Sequence, residues 1–202
     1  EMENVNAIFA QAIKDLRGTG FAITPETPRF QIAEAEKQLR AAAGAICAQR
    51  GQSFKWRTEY AKVAQWLSDN NGRGLLLMGG TGNGKTLMLD AVAAVMLVKL
   101  KVFCNKVAAC DIDNVTQLRK ACAQRFSILD DLGTESHLVD FGARKSIAEE
   151  FVYSIEAAGS LGMISTNLDP TMIKQRYGER VLDRLRGGFF TVHFGGESFR
   201  KQ

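Results

Sequence analysis

Residues 75–86 read LLLMGGTGNGKT, an apolar run followed by a loop of four glycines that ends in Lys85 and Thr86. The loop fits the pattern G-x-x-x-x-G-K-[ST], in which small residues let backbone N–H groups approach phosphate oxygens closely. The apolar run before it is typical of a buried parallel strand, and residues 86–99 are typical of an apolar helix. The context of strand, loop and helix therefore favours a phosphate-binding loop over a glycine-rich turn that carries GKT by chance.

The chemistry of this loop predicts ATP and Mg²⁺ as cofactors. Lys85 would reach the β- and γ-phosphates as a point charge, and the Thr86 hydroxyl would be a ligand of Mg²⁺. The predicted nucleotide-binding residues of this stretch are Gly79, Gly80, Thr81, Gly82, Asn83, Gly84, Lys85, Thr86 and Leu87.

Two further apolar strands end in polar residues. Residues 126–129 lead into Asp130 and Asp131, a pair that predicts a metal-binding carboxylate at Asp130 and a carboxylate that orients or deprotonates water at Asp131. Residues 161–165 lead to Asn167, which we expect near the γ-phosphate because the carboxyl ends of parallel strands meet at one edge. The alternatives are a helix cap for the carboxylates and a turn residue for Asn167.

The order of elements predicts an α/β fold with a mostly parallel, five-stranded sheet and helices on both faces. Strands are expected at 75–78, 102–107, 126–129, 161–165 and 189–194. Before them, helical spacing predicts helices at 3–17 and 30–50 and a third that carries Tyr60, Val63 and Trp66, with core packing as the favoured role of its aromatic residues. We predict a helical N-terminal segment over 1–52, available to a partner, and an ATPase core over 53–202 without a full helical lid domain.

Composition excludes several classes of protein. The 202-residue chain is 46% hydrophobic and 24% charged, with a net charge of +4, which permits nucleic-acid contact without requiring it. Its four cysteines form no C-x-x-C pair, which predicts buried reduced thiols rather than a zinc site or disulfides. No stretch reaches about 18 consecutive apolar residues, and no secretory signal is apparent, so a cytoplasmic location is expected.

Five segments in order, GGTGNGKT, ILDDLGTE, ISTNLD, RYGERVLDRL and SFR, resemble the AAA+ ATPases of the bacterial replicative-helicase loader family, the DnaC/IstB-like group. The likeness covers about residues 56–200. It implies that Asp131 activates water, that Asn167 is the sensor 1 residue, and that Arg184 is an arginine finger that acts on a neighbouring subunit. Arg180 is the alternative finger, and Arg200 matches a sensor 2 arginine that contacts the nucleotide.

The resemblance implies an ATP-dependent loader or remodeller of a replicative helicase that assembles head to tail into a ring or spiral when ATP is bound. A transposase-helper ATPase that acts on DNA and a nucleotide-gated binding module with little turnover are the alternatives. A small-molecule kinase is disfavoured because a kinase needs an acceptor pocket and a mobile arginine-bearing lid, whereas this chain offers a strand that ends in two aspartates and a late arginine-rich helix. Single-stranded DNA is a further expected partner, with weak support from two basic groups: Lys99, Lys101, Lys106, Arg119, Lys120 and Arg125, favoured as a solvated face, and Lys174, Arg176, Arg180, Arg184 and Arg186.

Overall fold

The structure, a computed structural model, describes residues 2–19, 26–135, 138–140 and 143–195. Helices in these ranges are α1 (Met2–Gly18), α2 (Ala35–Gln49), α3 (Thr58–Ser68), α4 (Lys85–Leu100), α5 (Val115–Cys122), α6 (Ile147–Ala158), α7 (Pro170–Tyr177) and α8 (Glu179–Gly188). Strands are β1 (Gly74–Gly79), β2 (Asn105–Ala108), β3 (Phe126–Leu132), β4 (Leu138–Asp140), β5 (Ala143–Lys145), β6 (Leu161–Thr166) and β7 (Phe189–Phe194). None of the described helices has the length and apolar character needed to cross a lipid bilayer.

Five strands form one sheet in the order β2-β3-β6-β1-β7, and all of its pairings are parallel. This confirms the predicted α/β fold with a five-stranded sheet. Because helices connect the strands, their carboxyl ends meet at one edge. β6 lies between β1 and β3, so the ends of these three strands are neighbours at that edge. β4 and β5 form a separate antiparallel pair between β3 and α6, which the sequence did not predict.

The sheet separates two apolar clusters because successive side chains of a strand point to opposite faces. On β1, Leu75 and Leu77 belong to the cluster formed with α2, α3 and α4. Leu76 and Met78 belong to the cluster formed with α5, α6, α7 and α8. All four side chains are at most 4% exposed, so β1 is buried on both faces in a three-layer arrangement.

The N-terminal helices differ in how they pack. Leu39 and Ala43 of α2 and Tyr60 and Trp66 of α3 are buried in the first cluster, as expected for the aromatic residues of α3. The side chains of α1 from residue 5 to 16 are exposed. The boundary at residue 52 stays a prediction.

Two elements begin later than the sequence predicts. The helix expected at 30–50 begins at Ala35, because Glu34 has a left-handed backbone (φ 52°, ψ 36°) that cannot be part of a right-handed helix. The residues before it are anchored elsewhere, since the Phe30 N–H donates to Asn70 Oδ1 (2.9 Å) and the Ile32 N–H to Leu67 O (3.2 Å). The strand expected at 102–107 is Asn105–Ala108. Helical spacing alone does not reveal such a backbone conformation.

The four cysteines are free thiols. Cys47 and Cys122 are buried, as expected, whereas Cys104 is partly exposed and Cys110 is exposed. The prediction of buried thiols is therefore wrong for Cys110, which lies in a short 3₁₀ turn, Ala109–Asp111, at the carboxyl end of β2.

Candidate nucleotide-binding site

The phosphate loop joins β1 to α4 and depends on glycine for its backbone. Gly82 and Gly84 have φ angles of 82° and 86°, in the left-handed region that favours glycine. At Gly79 φ is 149°, and an added Cβ would lie 2.2 Å from Phe194 O of the neighbouring strand β7. The side chain of Asn83 is buried against the same strand end, so the loop is fixed to the sheet while residues 80–81 stay exposed.

Lys85, the first residue of α4, turns its side chain back into this loop. Its Nζ donates hydrogen bonds to Gly79 O (2.7 Å), Gly80 O (2.8 Å) and Asn167 Oδ1 (2.8 Å). The residue is only 5% exposed. The structure thus brings the predicted phosphate-binding lysine into direct contact with the predicted sensor residue, although the two are 82 positions apart in the chain.

The Asp130 carboxylate lies beside the start of α4. Its Oδ1 accepts hydrogen bonds from Thr86 Oγ1 (3.2 Å) and Ser165 Oγ (2.5 Å), and the residue is 6% exposed. A hydroxyl and a carboxylate side by side fit Mg²⁺, which takes oxygen ligands and is commonly held by one or two protein groups together with phosphates and water. The donor set at Thr86 and Asp130 is therefore suited to the predicted metal.

Asp131 occupies an irregular position in β3. The pairing of β3 with β6 shifts between Leu129 and Leu132, as in a β-bulge, and Asp131 has a φ of 56°. Aspartate is among the few residue types that tolerate the left-handed region. A residue other than glycine in this region is strained, and the surrounding contacts must hold its backbone there. Here the Asp131 N–H donates to Ser165 Oγ (2.8 Å), and its carbonyl accepts from Thr134 N (3.1 Å) and Thr134 Oγ1 (2.8 Å).

Ser165 is a site residue that the sequence analysis missed. Its fully buried hydroxyl donates to the Asp130 carboxylate and accepts from the Asp131 amide, so one side chain of β6 positions both acids. The signal for it was a hydroxyl residue two positions before Asn167, on a strand that adjoins β3.

Lys106 also belongs to the site, because its exposed side chain pairs with a buried carboxylate that the sequence analysis did not connect with it. Its Nζ lies 2.9 Å from Asp130 Oδ2 and 2.7 Å from Asp90 Oδ1, and its side chain is 32% exposed. Asp90 also pairs with Arg50, at 3.2 Å. Burial by itself would lower the pKa of Lys106, but the hydrogen bonds and charges of Asp90 and Asp130 outweigh it and raise this pKa.

Glu135 fastens the loop after β3 to α7. Its carboxylate accepts hydrogen bonds from Gly133 N (2.7 Å), Arg176 Nη2 (3.3 Å) and the Tyr177 hydroxyl, and the residue is 8% exposed. Arg176 Nη2 also donates to Glu135 O (2.8 Å). Burial, reinforced by the bond to Glu135, raises the pKa of Tyr177. These contacts hold the residues that follow Asp131 against α7.

The predicted arginine residues lie away from these contacts. Arg184 of α8 binds Glu156 Oε2 of α6 (2.9 Å), rather than Asp183 or Glu179 on its own helix. Arg180 is exposed on the same helix. Arg200 lies outside the described residues.

Several residues of the two basic groups are neutralised within the chain. Besides Lys106, Arg119 pairs with Glu150 (2.5 Å), and Lys174 pairs with Glu179. Arg176 pairs with Glu135, as described above. The positive charge available to nucleic acid is therefore smaller than the sequence suggests.

Comparison with known proteins agrees with this geometry at the level of the fold. No protein-family model matches the sequence, and no curated protein matches it. The crystal structure of the DnaC helicase loader aligns with a TM-score of 0.54 and 17% identity, over 70% of this chain and 93% of that chain. This chain has the fold of a DnaC-type AAA+ protein.

Two other solved structures are also similar. The crystal structure of DnaI aligns with a TM-score of 0.49 and 21% identity, over 62% of this chain and 72% of that chain. The replication initiator DnaA bound to AMPPCP and single-stranded DNA aligns with a TM-score of 0.49 and 18% identity, over 70% and 46%. The alignment with the DnaC helicase loader confirms the predicted fold, and sequence identities this low support a conclusion about the fold and about nothing else.

Proposed function

We propose that this chain is a Mg²⁺-dependent ATPase that loads or remodels a replicative helicase. The observation that most directly supports ATP chemistry is the contact of Lys85 with Asn167 beside the Thr86–Asp130 pair. A buried ammonium, a metal-binding pair of oxygens and an acid at a strained backbone position meet at one edge of the sheet. This is the set of groups that phosphoryl transfer to water uses.

The residues of the chain would divide the work as follows. The loop N–H groups and the N-terminus of α4 bind phosphate oxygens, and Lys85 adds a full positive charge. Bound Mg²⁺ supplies charge that neutralises phosphate oxygens. Asp131 would orient the attacking water and accept its proton. Asn167, just after β6, would contact the γ-phosphate.

Binding and hydrolysis are separated by two substitutions. Lys85→Ala should abolish tight ATP binding while leaving α4 intact, because alanine is a good helix former. Asp131→Asn should keep Mg·ATP binding and lose most hydrolysis, and asparagine suits the left-handed backbone at this position. Fluorescent-nucleotide titration and phosphate release measure the two effects. A folded Lys85→Ala protein with the affinity of the parent, or an Asp131→Asn protein with its turnover, would refute the assignment.

We further propose that the active site is shared between subunits and that Arg184 completes it. An arginine finger contributes about 10³- to 10⁵-fold to turnover in nucleotide hydrolases. Arg184→Ala should therefore bind ATP like the parent and fail to hydrolyse it, whereas Arg186→Ala on the same helix should behave as the parent. Mixing Arg184→Ala with Lys85→Ala should restore part of the activity, since each chain retains the half-site that the other lacks. No recovery in a mixture that assembles would shift the role to Arg180 or to a site within one chain.

A nucleotide-gated binding module with little turnover is the second candidate. The pairing of Arg184 with Glu156 favours it, because an arginine held in its own subunit is not delivered to a neighbour. Glu156→Gln should release Arg184 and raise turnover if the chain is a restrained ATPase. Negligible turnover in both parent and variant at high protein concentration would favour the binding module.

We propose α1 as the helicase-binding element. Val5, Ile8, Phe9, Ile13 and Leu16 form an apolar stripe at helical spacing, and each side chain is between 43% and 64% exposed. Exposed apolar surface of this kind marks interaction sites.

The partner is tested by capture with the Asp131→Asn form in the presence of ATP. A purified replicative helicase should be retained by this form, lost with Phe9→Glu added, and kept with Gln11→Glu, which adds the same charge to α1. Retention of a transposase instead of the helicase would favour the transposase-helper function.

A further inference from the structure

The ammonium of Lys106 lies between two carboxylates. Its Nζ is 2.9 Å from Asp130 Oδ2 and 2.7 Å from Asp90 Oδ1. The Asp130 side chain is 8% exposed, that of Asp90 is 23% exposed and that of Lys106 is 32% exposed. A cation with two carboxylate partners, one of them buried, is held more firmly than one in a single surface ion pair.

The two oxygens of Asp130 have different partners. Oδ1 accepts from Thr86 and Ser165, whereas Oδ2 binds Lys106. A metal ion at the Thr86–Asp130 pair would therefore share one carboxylate with an ammonium group. Two cations on one carboxylate repel each other, so each lowers the affinity of the carboxylate for the other.

We propose that Lys106 is an internal counter-ion of Asp130 that opposes Mg²⁺ binding and so sets the metal concentration at which the nucleotide site fills. This inference rests on the proposed ATPase function and adds a residue that determines metal affinity. Without metal, Lys106 neutralises a carboxylate that would otherwise be buried and unpaired, which is a costly state.

Asp90 determines how strongly Lys106 engages Asp130. It offers the ammonium a second carboxylate, 2.7 Å away, and is itself shared with Arg50. Removing the charge of Asp90 leaves Lys106 with Asp130 as its remaining carboxylate partner among the described residues. Substitutions of Lys106 and Asp90 should therefore change metal affinity in opposite directions.

The experiment is a Mg²⁺ titration at fixed fluorescent ADP, read from nucleotide fluorescence, which needs no turnover. Lys106→Met should lower the Mg²⁺ concentration at half-saturation by about tenfold, the low end of what an opposite charge within about 4–6 Å does to a carboxylate. Asp90→Asn should raise this concentration. In the double variant the effect of Asp90→Asn should disappear, because its route through Lys106 is gone.

Three further variants keep the result interpretable. Lys106→Arg retains the charge and should match the parent. Lys99→Met removes the same charge from the exposed end of α4 and should also match it. Lys106→Gln is neutral but can still donate a hydrogen bond to Asp130, so it replaces Lys106→Met if that protein does not fold.

The outcomes separate this inference from the function on which it rests. Unchanged or weaker metal affinity in a folded, neutral Lys106 variant that binds ADP overturns the counter-ion role and leaves the ATPase proposal standing. An undiminished Asp90→Asn effect in the double variant overturns it too, because Asp90 would then act on the metal directly. A parent protein that binds no Mg·ADP overturns both.

Discussion

Ser165→Ala removes one hydroxyl from the centre of the site and replaces none of the residues proposed to bind metal or phosphate. The hydroxyl donates to Asp130 Oδ1 at 2.5 Å and accepts from the Asp131 amide at 2.8 Å, and the residue is 0% exposed. The substitution therefore removes a contact that positions the Asp130 carboxylate. It also removes a contact that holds the Asp131 backbone in its strained conformation. We expect it to lower both stability and ATP turnover.

The size of the stability loss follows from these two contacts. A hydrogen bond to a charged group contributes about 1.5–3 kcal/mol, and a buried amide left without a partner costs about 1–3 kcal/mol. Thr86 Oγ1 still donates to Asp130, at 3.2 Å, which limits the loss. The free energy of unfolding should therefore fall by about 2–4 kcal/mol, a shift in Tm of roughly 4–16 °C for a domain of this size.

A second buried serine provides the matched control. Ser154 on α6 is 9% exposed, and its Oγ has no hydrogen-bond partner in the described part of the chain. Ser154→Ala removes the same atom without breaking a contact and should be neutral or slightly stabilising. Urea denaturation of the nucleotide-free proteins measures both variants, and phosphate release measures turnover. If Ser165→Ala costs no more stability than Ser154→Ala, the assigned role of the hydroxyl is wrong.

Two further predictions concern the rest of the described chain. Glu135→Ala should lower the free energy of unfolding by about 3 kcal/mol in urea denaturation, because it removes the hydrogen bonds that this buried carboxylate accepts from Gly133, Arg176 and Tyr177. The exposed Glu149→Ala of α6 should change it by less than about 1 kcal/mol, and equal effects would contradict the assigned contacts. Of the four thiols, Cys110 should react first with a disulfide reagent at pH 8 because it is exposed, even though desolvation and the neighbouring Asp111 raise its pKa. Burial raises the pKa of Cys104 and Cys122 to about 12 and keeps them protonated. Rapid labelling that persists in Cys110→Ser would contradict this order.

The sequence alone was sufficient to predict the parallel sheet because its central strands, β1, β3 and β6, are buried and mostly apolar. Local patterns indicate the first strand and its loop, namely the apolar residues 75–78 and the glycines that follow them. The parallel arrangement follows from the alternation of strands and helices. The same reasoning places Lys85 and Asn167 at one edge of the sheet, but it did not predict the direct hydrogen bond between them.

The remaining site contacts depend on information that no local pattern contains. Lys106 is 24 positions before Asp130 in the chain, and only the pairing of β2 with β3 brings the two together. The left-handed φ of Asp131 results from a register shift between β3 and β6. Residue type and spacing describe one segment at a time, whereas these features arise where segments from different parts of the chain meet.

The central position of β6 has a consequence for how such a protein can be tuned. Ser165 and Asn167 are two residues apart at the end of this strand, one holding both acids and the other contacting Lys85. If the chain is the proposed ATPase, substitution at 165 alters the rate of turnover without replacing any residue proposed to bind phosphate or metal. A lineage could lengthen or shorten the interval between engaging and releasing a partner through this single position, at a cost in stability, while the residues proposed to bind the nucleotide stay the same.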